Sequence, residues 1–157
     1  MPHDTAQICE NGHLVNSYSK KYPSDNESFC SKCGALTITK CPYCNQDIRG
    51  HDIGEYGFVS AYEKPMYCIN CGNPYPWTVF ALRNTALLIT EDAQLGEHQI
   101  NELINNLPDI ITETPSTNLA IARMKKALLS VGKITAEGIR QFVIDFGCEL
   151  AKKSLGF

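Results

Sequence analysis

Three Cys-x-x-Cys pairs constrain this chain more than any other feature: Cys30–Cys33, Cys41–Cys44 and Cys68–Cys71. Each is followed by Gly34, Asn45 or Gly72. Two thiolates three residues apart grip one zinc ion when the chain between them folds into a tight knuckle. The next position then takes a positive φ, which glycine tolerates freely and asparagine better than most. A single pair would fit a redox-active dithiol equally well. Three pairs with the same kind of trailing residue point to zinc.

Tetrahedral zinc takes four donors, so six cysteines leave a deficit of one pair. Cys9-Glu-Asn-Gly-His13 supplies it, with Gly12 at the turn. Pairing the knuckles in chain order gives Cys9, His13, Cys30 and Cys33 as one site and Cys41, Cys44, Cys68 and Cys71 as the other. The intervening segments are 16 residues in the first site and 23 in the second, whereas only seven separate Cys33 from Cys41. Joining Cys30/Cys33 to Cys41/Cys44 would strand the outer pairs with each other, so the sequential pairing is preferred. His3, in a terminus expected to fray, and His51, between the knuckles of the second site, are the alternatives to His13. A buried free thiol is the alternative for Cys9. Cys148 stands alone in a helical pattern and is expected to act as a small hydrophobe.

Seven of the eight cysteines and six of the eight prolines lie within residues 1–76; beyond them Leu, Ile, Ala, Lys and Glu dominate. The shift, at Gly72-Asn-Pro-Tyr-Pro-Trp77, divides the chain into residues 1–76 and 77–157. Each half is near the size at which a domain needs a staple. No apolar run reaches the length of a membrane-spanning helix, and the N-terminus lacks the basic and apolar segments of an export signal. A cytoplasmic location is therefore expected, and with it metal-bound rather than disulfide-bonded cysteines.

Between the knuckles, Gly57–Tyr62, Pro65–Tyr67 and Leu36–Thr39 read as short strands. Short strands joined by metal knuckles make zinc ribbons, here two in tandem. The expected class is α+β, a small tandem zinc-ribbon module followed by a region of about four helices. The segments Cys9-x3-His13, Phe29-Cys30-Ser-Lys-Cys33-Gly34, Thr37–Lys40, Cys41-Pro-x-Cys44, Ile48-Arg-Gly50 and Cys68-x2-Cys71-Gly-x-Pro-Tyr-Pro-Trp77 resemble a bacterial family of uncharacterised proteins, as do Leu107-Pro-Asp-Ile-Ile111 and Thr114-Pro115. That family is a domain of unknown function with an N-terminal double zinc ribbon and a C-terminal helical region. The resemblance implies zinc and a bacterial cytoplasm; it implies no activity.

Val79, Leu82, Ala86 and Ile89, widened by Phe80, Leu87 and Leu88, predict a first helix that ends before Gly96. Ile100, Leu103, Ile104 and Leu107 predict a second, stopped by Pro108. Thr114-Pro115 predicts the start of a third, carrying Leu119, Met124, Ala127, Leu128 and Val131 and closed by Gly132. Thr135 is expected to cap the last, whose stripe is Ile139, Phe142, Val143, Phe146 and Leu150. These faces are expected to form a core. Ile144, Cys148 and Leu155 widen the last apolar surface, which predicts self-association or docking of a partner.

Neither HExxH, nor a phosphate-binding loop, nor GxSxG occurs, and four thiolate-rich ligands per site leave zinc no open position for water. No enzyme is expected. Nucleic-acid binding is the rival, carried by Lys20, Lys21 and Lys40. The formal charge argues against it: −3 for the chain, and −6 once seven thiolates and two zinc ions are counted. Phosphate binding draws most of its affinity from cationic side chains. Two structural zinc ions and a protein partner, or a homo-oligomer, are the expectation.

Overall fold

Short strands of two to four residues frame the N-terminal half: β1 (His3–Thr5), β2 (Gln7–Cys9), β3 (Leu14–Asn16), β4 (Thr37–Ile38) and β5 (Arg49–Asp52). Among the described residues five α-helices follow: α1 (Pro76–Thr90), α2 (Glu97–Ile111), α3 (Thr117–Leu128), α4 (Lys133–Phe146) and α5 (Glu149–Leu155). The structure is a computed structural model and describes residues 2–54 and 61–157. It divides into two compact units, Met1–Val79 and Phe80–Phe157. The class is α+β, as the sequence implies, with one helix more than expected.

In the first unit β2 is the middle strand of an antiparallel sheet ordered β3-β2-β4, while β1 pairs with β5. Ile8, at the centre of β2, faces Leu14 and Ile38 in register and is wholly buried, as are Ala6 and Ile48. The loop between Asn16 and Phe29 is held by its polar side chains. Asn16 Nδ2 donates to the Tyr22 carbonyl (2.9 Å) and to Asn26 Oδ1 (2.8 Å), and the buried Asp4 carboxylate accepts the backbone N–H groups of Lys20 and Lys21. The strand predicted at Leu36–Thr39 narrows to β4. Pro65–Tyr67 forms no strand: Tyr67 makes a single bridge, to Pro74, because a proline ring and a six-residue turn leave nothing to extend the ladder. Most of Gly57–Tyr62 lies outside the described residues.

The Pro-Tyr-Pro-Trp segment closes the first unit. Tyr75 and Trp77 are buried and stacked, with ring centroids 4.7 Å apart. Trp77 Nε1 donates to the Pro65 carbonyl (2.9 Å), and Thr78 Oγ1 to that of Met66 (2.7 Å).

In the second unit α2 packs on α3, α3 on α5, and α4 on both α2 and α5. Proline 108 does not stop α2, which runs to Ile111. An interior proline costs about 3 kcal/mol, but the added turn buries Ile110 and Ile111, each worth about 1.5–3 kcal/mol, so burial prevails. The Thr112 N–H and hydroxyl both return to the Pro108 carbonyl. The predicted last helix is two. At Gly147 the backbone turns extended, φ −64° and ψ 146°, and Cys148 becomes the N-cap of α5 with its N–H on the Ile110 carbonyl (2.9 Å). Ser116 rather than Thr114 precedes α3, and Gly132 rather than Thr135 precedes α4. Val79, Leu87 and Leu119, read as core positions, are exposed; Ile89, Leu103, Leu107, Met124, Ile139 and Val143 are buried.

Candidate metal centre

All three knuckles share one backbone frame. The N–H of Gly34, Asn45 or Gly72 returns to the carbonyl of Cys30, Cys41 or Cys68 at 2.8–2.9 Å, and those three residues have φ of 73°, 63° and 74°. The residue before each first cysteine bridges the residue three places after the second: Phe29 to Leu36, Lys40 to Asp47, Tyr67 to Pro74. The fourth pair is built differently. Cys9 ends β2, the Gly12 N–H closes a turn on the Cys9 carbonyl (2.8 Å) at φ 91°, and the Cys9 N–H bonds the His13 carbonyl (3.0 Å) before β3 begins. Since β4 also pairs with β2, both halves of this tetrad hang from one sheet.

Two groups of four donor atoms result, Cys9–His13–Cys30–Cys33 and Cys41–Cys44–Cys68–Cys71, each set lying within 4.8 Å of one another. In the first, Cys9 Sγ is 3.5 Å from His13 Nδ1 and 3.8 Å from Cys33 Sγ, and Cys30 Sγ is 3.6 Å from His13 Nδ1. In the second, Cys41 and Cys71 Sγ are 3.7 Å apart and Cys44 and Cys68 Sγ 3.6 Å. A tetrahedron with zinc–sulfur bonds of about 2.3 Å has an edge of about 3.8 Å, whereas a disulfide bond is only about 2.0 Å. Both tetrads therefore fit zinc in donor type, number and spacing, and together they fit a double zinc ribbon.

The alternative histidines are placed elsewhere. His3 is not frayed: it lies in β1 opposite Asp52, with Nδ1 3.3 Å from the Gly50 carbonyl. His51 stacks on Tyr18 with its Nδ1 2.9 Å from Ser17 Oγ. Cys148 joins neither tetrad.

The protein also tunes the thiols. The N–H of Ala35 and the carboxamide of Asn11 hold the exposed Cys33 thiol down to about 6. Burial opposes ionisation of Cys68, but the N–H groups of Cys71 and Asn70 outweigh it, and that thiol also sits at about 6. The Asn73 backbone and side-chain amides lower Cys71. Burial pushes Cys41 up to about 11 and also raises Cys9. Each tetrad thus holds a ready thiolate beside a thiol that ionises when a cation arrives.

Asn11, Asn73 and Tyr75, whose hydroxyl burial and the Cys68 thiol push above the usual tyrosine range, escape a reading confined to ligand types. An asparagine within two residues of a ligand is the signal that finds the first two. Of the three lysines weighed for nucleic acid, Lys20 and Lys40 both pair with Asp47, whose carboxyl the Lys20 hydrogen bond holds below its usual range. Lys21 lies over the rings of Tyr22 (5.2 Å) and Tyr18 (5.7 Å).

A family model described as "Uncharacterized protein conserved in bacteria (DUF2321)" matches residues 2–155. No curated protein and no solved structure matches.

Proposed function

The chain belongs to this bacterial family, and we propose that it is a zinc-binding, non-enzymatic protein whose N-terminal half is a rigid platform for a protein partner or a further copy of itself. The observation that carries this reading is the pairing of two four-donor tetrads with apolar side chains left outside on the same knuckles. Phe29, Tyr43 and Ile69 are 62%, 64% and 65% exposed. A thiolate-rich shell of four donors satisfies zinc and blunts its Lewis acidity, so the ions act as staples. Exposed aromatic and aliphatic side chains on a stiff frame suit protein recognition. The nucleic-acid reading is weakened where Asp47 engages Lys20 and Lys40. Thiols kept as ligands suit a reducing cytoplasm. Among the described residues no helix is long and apolar enough to cross a membrane.

Native mass spectrometry of the protein drawn gently from its own cells tests this. Two zinc ions per chain with a co-migrating protein, or a discrete oligomer, is the expected result. Fewer than two zinc ions would overturn the ligand assignment, and bound nucleic acid would overturn the choice of partner.

A further inference from the structure

We propose that the turn between α3 and α4 docks on an anionic lipid surface, with Leu129 and Ile134 in the acyl region and Lys125, Lys126 and Lys133 among the headgroup phosphates. Leu129, at the C-cap of α3, is 89% exposed, and Ile134, the second residue of α4, is 80% exposed. Single apolar side chains on a surface are ordinary. These two flank one short turn, and no other large apolar residue among those described is as exposed.

The turn that carries them is firmly held. The Ser130 and Val131 N–H groups return to the Ala127 carbonyl (2.9 and 3.1 Å), and the Gly132 N–H donates to the Asp92 carboxylate (2.8 Å). Buried Met124 and Thr135 anchor the helix on either side. The backbone is thereby fixed with both aliphatic side chains outside the core, and they stay in water until something apolar covers them.

Charge says what covers them. Residues 117–146 carry five cations against two acids, in a chain whose formal charge is −3. Arg123 pairs with Glu102, and Arg140 lies over the Phe157 ring. Lys125, Lys126 and Lys133 are exposed and make no ion pair among the described residues. Helical angles persist to Leu129, so Lys125 and Lys126, four and three positions earlier, are its neighbours on the surface. Lys133 adjoins Ile134. Of the acids nearby, Asp92 is engaged in holding the turn, which leaves Glu137 on α4 and Glu91 in the groove that Ile134 lines.

Aliphatic side chains flanked by lysines suit a bilayer better than other partners. Hydrocarbon receives Leu and Ile without a shaped pocket, while lysine stems lie along it and leave their ammonium groups at the phosphates. Protein hot spots favour aromatic and arginine anchors; residues 117–134 hold no aromatic side chain, and their one arginine is already paired. Nucleic acid would engage the lysines but offers the two aliphatic side chains nothing.

The test is co-sedimentation of the zinc-loaded full chain with vesicles of phosphatidylcholine, alone or mixed equally with phosphatidylglycerol. Binding is expected to the mixed vesicles only, and to weaken as salt is raised. Leu129→Ser and Ile134→Ser are each expected to weaken it about tenfold, and Lys125→Gln, Lys126→Gln and Lys133→Gln about fivefold apiece. All five positions are exposed, so these variants should melt as the wild type does. In Leu129→Trp the added indole should be quenched by lipids brominated in their acyl chains, while the buried Trp77 is not. No preference for the anionic vesicles, unchanged binding in both serine variants, an unquenched indole, or tighter binding to duplex DNA than to the vesicles would each overturn the proposal.

Discussion

The two units are nearly equal in length, Met1–Val79 and Phe80–Phe157, but they are held together by different means. Among the described residues, the first buries Ala6, Ile8, Ile48, Tyr75 and Trp77, and its other buried apolar residues are the ligands Cys9, Cys30, Cys41 and Cys68. The second buries a continuous set that includes Ile89, Leu103, Leu107, Ile110, Met124, Ile139, Phe142 and Val143. Ordering a residue costs about 1–2 kcal/mol in backbone entropy, and burying a large apolar side chain returns about 1.5–3 kcal/mol. Helices that lie against one another can meet that cost by area. Knuckles with exposed tips cannot, and depend on donor atoms converging on a cation.

Removing the cation should separate the two units most sharply. Structural zinc in small fingers contributes about 10–16 kcal/mol of apparent binding free energy at neutral pH, so chelation is expected to unfold the first unit and leave the second. Trp77, the only tryptophan and 1% exposed, reports on the first unit. Its fluorescence should shift to the red while most helical ellipticity persists. Concurrent loss of both signals would show that the units do not fold independently. The reciprocal change is Leu107→Ala, expected to cost the second unit about 2–5 kcal/mol. Denaturant melts followed by ellipticity should show it, with zinc content unchanged.

Two glycines of the first unit differ in how much room a side chain would find. Gly34→Ala places a side chain at φ 73° with nothing near its Cβ, and the left-handed conformation costs about 1–2 kcal/mol. Gly12→Ala adds a Cβ 2.8 Å from that of Trp77, at φ 91°. Competitive zinc titration should therefore show a larger loss of affinity in Gly12→Ala than in Gly34→Ala.

The smallest effect concerns pH in the second unit. The Asp92 carboxyl is held below its usual range by the Thr135 hydroxyl and the N–H groups of Gln94 and Gly132. A depressed carboxyl stabilises the fold above the unfolded value of about 3.9, and the gain fades as pH falls through the lower folded value. The difference in melting temperature between wild type and Asp92→Asn should thus be present at neutral pH and shrink below about pH 4. A constant difference would mean that shape, not charge, is what Asp92 supplies.

Much of the first unit is legible from residue types because its chemistry is local. A knuckle needs two thiols at fixed spacing and a residue that accepts positive φ, and Gly34, Asn45 and Gly72 are where they must be. The sheet strands are less legible: His3–Thr5 and Gln7–Cys9 are too short for alternation to show, and their pairing is set by long-range partners. In the second unit, rules for single residues were outweighed by packing. Pro108 stayed inside a helix because Ile110 and Ile111 are buried beyond it. Gly147 ended one where the stripe of Phe142 and Phe146 ran on toward Leu150. Asn106 broke the apolar pattern of α2 without any local signal of why.

The shared frame of the three knuckles has a consequence for change over time. Each is an eight-residue loop closed at both ends by the same bridge, Phe29 to Leu36, Lys40 to Asp47 and Tyr67 to Pro74. The two residues between its cysteines, Ser31-Lys32, Pro42-Tyr43 or Ile69-Asn70, have no part in that closure. Mutation can rewrite those tips without touching the frame, so this half is free to drift in what it meets while remaining conservative in how it folds.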